Sequence, residues 1–244
     1  MNPYQYLAQV YDDMMRDVDY EAWADYLHTL LQRVSASRIL EAACGTGAMS
    51  SALHRRGYSV TATDASPNML VIARESAKKR AKQIRFVHQD MRSLQTGAPV
   101  DAVVCACDGV NYLPQPDFPR FAASAFDALR PGGALLFDIT TRHKMQHEMD
   151  GQVYFDDRDD AACIWQNRYD AQKDALNMDV TIFIREADAF QRFDEHHVQY
   201  AHEPGLIEID LRQAGFEGIQ AYEFLTDCPF ASSASRIQFF CTKP

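Results

Sequence analysis

The chain has 244 residues, with 24 basic side chains against 34 acidic ones, for a formal net charge of −10. Its 47% hydrophobic and 11% aromatic content, with only 11 Gly and 10 Pro, excludes a disordered or fibrous chain and supplies enough apolar surface for one large core. The acidic balance argues against broad nucleic-acid binding, which draws its affinity from a basic surface. Met1-Asn2-Pro3-Tyr4 shows no basic stretch followed by an apolar one, and no window approaches 18 apolar residues, so neither a signal peptide nor a membrane span is expected. The six cysteines, Cys44, Cys105, Cys107, Cys163, Cys228 and Cys241, include no CxxC pair and read as reduced thiols of a cytoplasmic protein. Cys105 and Cys107 lie two apart in a strand-like run and are expected on one face.

From Tyr4 to Tyr20, tyrosines alternate with acids without a clean period, which predicts short helical pieces that cover something rather than build a core. Asp19 then reads as the N-cap of an amphipathic helix ending near Ser35, with Trp23, Tyr26, Leu27, Leu30, Leu31 and Val34 on one face. Between residues 38 and 140, short apolar runs at 38–43, 59–64, 85–90, 102–107 and 134–139 alternate with helical segments. Five strands separated by helices predict right-handed crossovers and a parallel sheet covered on both faces. Ser66-Pro67 supplies a helix cap and a first-turn proline, and Leu129-Arg130-Pro131-Gly132-Gly133 reads as a helix stop feeding the fifth strand. From about 141 to 203 the runs Cys163–Tyr169 and Met178–Ile184 partly alternate, as half-buried antiparallel strands do, and predict an inserted β-rich subdomain. A helix over 206–214 closed by Gly215, a strand over 219–225 and a last strand over 237–241 complete the chain.

Chemistry concentrates where the strands end. Glu41-Ala42-Ala43-Cys44-Gly45-Thr46-Gly47 leaves a strand and enters a helix, a place where glycine lets backbone turn sharply and approach a ligand. Asp64 stands at the carboxyl end of the next strand, where a carboxylate accepts hydrogen bonds from both hydroxyls of a ribose. Asp90 closes the third strand and Cys107-Asp108 the fourth, so four successive strand ends offer a turn or an acid on the rim where open α/β sheets bind ligands. A dinucleotide loop needs a third glycine, and that position is Ser50. Glu41 puts negative charge beside the loop, which opposes a pyrophosphate and suits a cationic amino-acid portion, so a sulfonium nucleoside is preferred over NAD.

With Asp64-Ala65-Ser66-Pro67-Asn68-Met69-Leu70, Asp90-Met91 and Leu129-Arg130-Pro131-Gly132-Gly133, these residues resemble the class I S-adenosylmethionine-dependent methyltransferases. The segments Tyr11-Asp12-Asp13-Met14-Met15, Asp17-Val18-Asp19-Tyr20, Cys107-Asp108-Gly109-Val110-Asn111-Tyr112-Leu113 and Ser235-Arg236 look like one bacterial branch of that superfamily. The shape is also similar to that of the sugar N-methyltransferases and glycine N-methyltransferase. The resemblance implies an α/β, Rossmann-like sheet of seven strands with the last antiparallel, helices on both faces, and an inserted antiparallel β subdomain. It implies a single domain, with 1–35 a helical lid, 36–140 and 204–244 the cofactor core, and 141–203 an insertion at the acceptor site.

Within that family the first loop lines the methionine portion, the acid matching Asp64 holds the ribose, and the residues matching Asp90 and Met91 frame the adenine. The implied cofactor set is Tyr11, Glu41, Cys44, Gly45, Gly47, Asp64, Ala65, Met69, Asp90, Met91 and Cys107. Asn111, Tyr112 and Arg236 are expected to orient the acceptor. His197, in Asp194-Glu195-His196-His197, is the candidate general base, since an imidazole titrates near neutrality and a nearby acid can orient it; the competing reading is a solvated histidine on a surface strand.

His143 and His147 share a helical spacing without a third ligand, and no metal is expected. Asp156-Asp157-Arg158-Asp159-Asp160 reads as a hairpin tip rather than a calcium loop. The basic run Arg74, Lys78, Lys79, Arg80, Lys82 and Arg85 reads as complementing a helix dipole at the opposite rim rather than as an RNA site. The expected reaction is methyl transfer from S-adenosylmethionine to nitrogen or oxygen of a small-molecule acceptor by a monomer or homodimer without membrane or nucleic-acid partners. The alternatives are an RNA or protein methyltransferase, an NAD-dependent oxidoreductase, and a non-catalytic nucleoside-binding partner protein.

Overall fold

The computed structural model describes residues 4–80 and 83–244, without the side chains of 79 and 80. Met1-Asn2-Pro3, Lys82 and the side chains of Lys79 and Arg80 thus lie outside the described residues. In chain order the strands are β1 (Arg38–Glu41), β2 (Ser59–Asp64), β3 (Arg85–His88), β4 (Val100–Cys105), β5 (Leu129–Thr140), β6 (Val153–Asp157), β7 (Ala161–Asp170), β8 (Ala175–Glu186), β9 (Ala189–Tyr200), β10 (Glu217–Glu223) and β11 (Arg236–Thr242). The helices are α1 (Tyr11–Met14), α2 (Tyr20–Gln32), α3 (Ala48–Arg55), α4 (Pro67–Arg80), α5 (Phe118–Ala128), α6 (Arg142–Lys144) and α7 (Pro204–Gln213).

Seven strands form one sheet in the order β10-β11-β5-β4-β1-β2-β3. The pairs β1–β2, β1–β4, β2–β3 and β4–β5 are parallel, and β11 runs antiparallel to both β5 and β10. Strand alternation divides the core into two layers. Leu40, Val103, Leu135 and Phe137 face α5 and α7 through Phe118, Phe121, Ile207 and Leu211. Ile39, Val60, Val104 and Leu136 face α2 and α3 through Trp23, Leu27, Leu30 and Leu53.

Helix α2 forms as its sequence dictates: the Asp19 carboxylate accepts the Ala22 N–H at 2.9 Å, and Trp23, Leu27, Leu30 and Leu31 are buried. Each such side chain contributes about 1.5–3 kcal/mol of burial, more than the helix draws from propensity.

Strand β5 begins earlier than the apolar pattern suggests. Leu129 pairs with Val100, the register then shifts, and Ala134 pairs with Ala102, so Arg130 to Gly133 form an irregular entry rather than a plain loop. A Cβ on Gly133 would sit 2.9 Å from the carbonyl oxygens of Arg130 and Asp101, which restricts that position to glycine. Cys105 and Cys107 do not share a face: the strand ends at Cys105, which packs with the α5 layer, whereas Cys107 adopts a left-handed conformation and packs with the α2 layer.

The insertion is a separate antiparallel sheet, β6-β7-β8-β9, twice as many strands as the two alternating runs indicated. Residues 158–160 turn between β6 and β7, and Arg158 pairs there with Asp156 and with Asp13 of α1. The N-terminal stretch is indeed short helical pieces, a 3₁₀ turn over Leu7–Gln9 and α1, but it does build core: Leu7 and Val10 pack with Cys163, Val180 and Ile182 of the second sheet. Its apolar partners lie more than 150 residues away, so no local period reports them. Among the described residues no helix is long and apolar enough to cross a membrane, and all six cysteines are free thiols.

Candidate functional site

A cleft of about 950 Å³ opens at the carboxyl ends of β1, β2 and β4, where their loops meet the N-terminal segment. Glu41, Cys44, Gly45, Asp64, Ala65, Met69, Asp90, Met91, Cys107, Tyr11 and Tyr112 all line it, so most of the residues picked from sequence converge on one space. Tyr4, Tyr6 and Tyr20 line it as well and were not picked.

The loop after β1 is shaped by three left-handed residues, Ala43, Gly45 and Gly47. An ideal Cβ on Gly45 meets nothing within 4 Å, so this backbone lies open to the cleft. Gly47 does something else: its Cβ would lie 3.0 Å from the Phe86 ring, so this glycine permits α3 to pack against β3 and does not line the cleft. Asp64 fastens the loop, accepting the Gly45 N–H at 2.8 Å on one oxygen and the Ser66 N–H at 2.7 Å on the other. Each oxygen keeps a second lone pair, so the carboxylate can accept two further bonds from a ligand. Burial pushes the Asp64 carboxyl above its ordinary value, and those backbone bonds from Ser66 and Gly45 oppose the rise.

Glu41, at the end of β1, is almost fully buried and accepts a hydrogen bond from the Ser50 hydroxyl. Ser50, the residue in place of a third loop glycine, thus anchors the acid. Burial pushes Glu41 up to about 8; the Ser50 bond opposes this and the Asp64 charge adds to it. At the far end Asp90 is paired with Arg92, which also bonds Asp117 at 2.6 Å. Among the described residues Arg92 is the one basic residue lining the cleft, and both its partners are acids.

Strand β4 exits through two consecutive left-handed residues, Cys107 (φ 59°) and Asp108 (φ 50°). Such a kink costs roughly 1–2 kcal/mol per residue, and a buried network holds it. The Asp108 N–H donates to Asp138 at 3.0 Å, while its carboxylate accepts from Arg236 at 2.7 Å and from Gln199 of β9 at 2.5 Å. Arg236 also pairs with Asp138 and lies over the rings of Trp23 and Phe224. Burial raises the Asp138 carboxyl to about 6 against the pull of Arg236.

Three residues expected at the acceptor are therefore placed differently. Arg236 does not line the cleft; its guanidinium is consumed by Asp108 and Asp138 beneath it. Asn111 is fully buried as a clamp, donating to the Thr140 and Tyr200 carbonyls at 2.9 Å and accepting the Thr140 N–H at 2.9 Å. His197 is not the solvated histidine of a surface strand but is 1% exposed and absent from the cleft wall. Its Nε2 lies 3.0 Å from Glu195, and its Nδ1 3.4 Å from the Tyr112 hydroxyl, so an acid does orient it. Among the described residues none of those lining the cleft comes from 141–203; that insertion backs the cleft through Glu195 behind Tyr4 and through Gln199, which holds Asp108 between the lining residues Cys107 and Gly109.

A family model described as a methyltransferase domain matches residues 39–133, the stretch carrying β1 to the start of β5. A relative named "Putative methyltransferase YqeM", from Bacillus subtilis (strain 168), is 32% identical over 98% of this chain and 97% of its own. The crystal structure of an S-adenosylmethionine-dependent methyltransferase from Clostridium acetobutylicum ATCC 824 superposes with a TM-score of 0.85 at 25% identity, covering 99% of each chain. The chain belongs to the S-adenosylmethionine-dependent methyltransferases. Its fold is shared further with the sugar N-methyltransferase KedS8 from Streptoalloteichus sp ATCC 53650, at a TM-score of 0.79 and 20% identity over 96% of this chain and 92% of that one.

The methyltransferase cleft fits the family's cofactor on its own geometry. Open backbone at Gly45, a carboxylate at Asp64 with two unused lone pairs, and a buried acid at Glu41 put acceptors along this part of the wall, which suits a nucleoside with hydroxyls and a cationic tail.

Proposed function

We propose that this methyltransferase acts on a nitrogen or oxygen atom of a small-molecule acceptor. The observation that carries the reading is the charge of the cleft wall. Among the described residues that line it, the one cation, Arg92, is spent on Asp90 and Asp117, and the remaining polar surface is hydroxyl, amide and carboxyl. Such a wall offers no unpaired cation to a phosphate backbone, whose charge proteins neutralise with Lys and Arg. The likeness to a sugar N-methyltransferase, which runs through the second sheet, supports a small acceptor.

In this reading Asp64 holds the ribose hydroxyls, the Gly45 loop and Glu41 take the methionine portion, and Asp90 with Met91 frames the adenine; Tyr11, Cys44, Ala65, Met69 and Cys107 complete the wall. Residues 1–35 act as the lid, 36–140 and 204–244 as the cofactor core, and 141–203 as the support of the acceptor end. When bound, S-adenosylmethionine supplies an activated methyl carbon to an attacking lone pair. The chain's residues do the positioning: Asp64 is pre-oriented by two backbone N–H groups, the Asp108 network fixes the β4 exit, and the lid tyrosines exclude water. Orientation of this kind is worth about 7–11 kcal/mol.

Methyl transfer from radiolabelled S-adenosylmethionine into fractionated cell extract tests the reading. Label is expected in the small-molecule filtrate; label retained in RNA or protein refutes it.

A further inference from the structure

A line of polar groups runs from the cleft into the second sheet. The Tyr4 hydroxyl donates to the Tyr112 hydroxyl at 2.5 Å, Tyr112 lies 3.4 Å from His197 Nδ1, and His197 Nε2 lies 3.0 Å from Glu195. Tyr4 and Tyr112 line the cleft, whereas His197 and Glu195 are buried.

The direction of the line follows from Glu195. Its two oxygens also accept the backbone N–H groups of Tyr4 at 2.8 Å, Tyr6 at 2.5 Å and Leu7 at 3.0 Å. A carboxyl accepting from so many donors is ionised, and an ionised carboxylate only accepts. Burial opposes that charge, while the His197 and backbone bonds outweigh it and hold the carboxyl below its ordinary range. The His197 proton therefore sits on Nε2, leaving Nδ1 as a lone pair facing Tyr112. Among the described residues the other groups around His197 are Tyr4, Tyr112, Trp165 of β7 and Met178 of β8, and Glu195 is the one charge among these. The same carboxylate holds Tyr4 in a left-handed conformation (φ 63°), which a tyrosine adopts only when held.

Resting on the methyl-transfer reading, we infer that the acceptor is an amine that arrives protonated and loses its proton through Tyr4, Tyr112 and His197, with Glu195 as counter-charge. The ammonium N–H bond breaks with its electron pair remaining on nitrogen. Tyr4 takes that proton and passes its own to Tyr112, which passes its own to Nδ1, giving an imidazolium beside Glu195. The freed lone pair forms the N–C bond to the methyl carbon while the S–C bond breaks and its pair goes to sulfur. Burial raises both tyrosines well above their ordinary titration, so each hydroxyl relays a proton and stays neutral. After product leaves, the proton returns to the cleft by the same hydroxyls. His197 and Glu195 are positioning and relay groups that do not touch the acceptor.

The test uses the full chain, a panel of primary amines (glucosamine, ethanolamine, tyramine) and the variants Tyr112→Phe and His197→Gln. For a methylated probe, both variants are expected to lower kcat about 10²-fold and to change the pH dependence of kcat, leaving S-adenosylhomocysteine affinity intact. Tyr112→Phe removes one hydroxyl and keeps the ring, so it reports even where His197→Gln fails to fold. An unchanged pH profile with kcat within about threefold of wild type, or a His197 proton found on Nδ1 by nitrogen-15 NMR, overturns the relay. Saturable S-adenosylhomocysteine binding with no amine methylated overturns the amine assignment, whereas absence of that binding overturns the underlying methyl-transfer reading instead.

Discussion

Glu41 makes stability depend on pH in the sense opposite to most acids. Its carboxyl is 2% exposed, and burial pushes it up to about 8 from an ordinary 4.5. Between those values the folded chain keeps a proton that the unfolded chain has released. Stability from this group is therefore complete below about 4.5 and drains as pH rises through about 8. At 1.36 kcal/mol per pH unit the full loss is about 5 kcal/mol. Glu41→Gln keeps the shape and removes the titration, so the variant should gain on wild type progressively across this window. Urea denaturation of both proteins at a series of pH values reads the difference, and a difference that stays flat across the window refutes the reasoning. The cofactor's cationic amine favours the ionised carboxylate, so uptake near neutral pH should release a proton and affinity should rise toward pH 8. Calorimetry in buffers of different ionisation enthalpy checks this.

Asp64→Asn removes the charge and one acceptor oxygen while leaving a carbonyl, and should weaken S-adenosylhomocysteine binding by about 1.5–3 kcal/mol; calorimetry giving wild-type affinity contradicts the ribose role. Gly45→Ala forces a Cβ into the open cleft from a left-handed backbone, so it should cost about 1 kcal/mol of stability and a larger share of cofactor affinity, read on the same protein by thermal melting and titration. Arg236→Met strands the buried Asp138 carboxyl without its guanidinium and should destabilise by about 3–5 kcal/mol, measured by urea denaturation; a loss below about 1 kcal/mol means the network does not hold the β4 exit. Glu195→Gln replaces an acceptor-only group that serves three backbone donors, and limited proteolysis should then cut ahead of α1 faster than in wild type. Equal cleavage rates show that the clamp is not what holds the segment.

The cofactor end of the site was legible because its signals are local. A strand, a glycine turn and a helix start stand next to each other around Gly45, and an acid follows the next strand at Asp64, so period and punctuation alone locate them. The two covered faces of the sheet were legible for the same reason. What escaped is pairwise and distant. Arg236 looks like a free cation in sequence and is consumed by Asp108 and Asp138, 128 and 98 residues away. Tyr4 and Glu195, 191 apart, show no shared signal in the sequence. His197 illustrates the middle case: the neighbouring acid was visible two residues before it, but its burial comes from the second sheet, where most of β6 and half of β9 are exposed and blur the alternation. Gly47 was read with Gly45 because both are glycines in one turn, and only the Phe86 ring beneath it separates packing from ligand approach.

The central claim is that the β1, β2 and β4 strand ends form a sulfonium-nucleoside site. Isothermal titration calorimetry of ligand-free protein against S-adenosylmethionine, S-adenosylhomocysteine and NAD tests it most directly. The account predicts saturable one-to-one binding of the two sulfur nucleosides and none of NAD. Binding of NAD alone, or of none of the three, contradicts it.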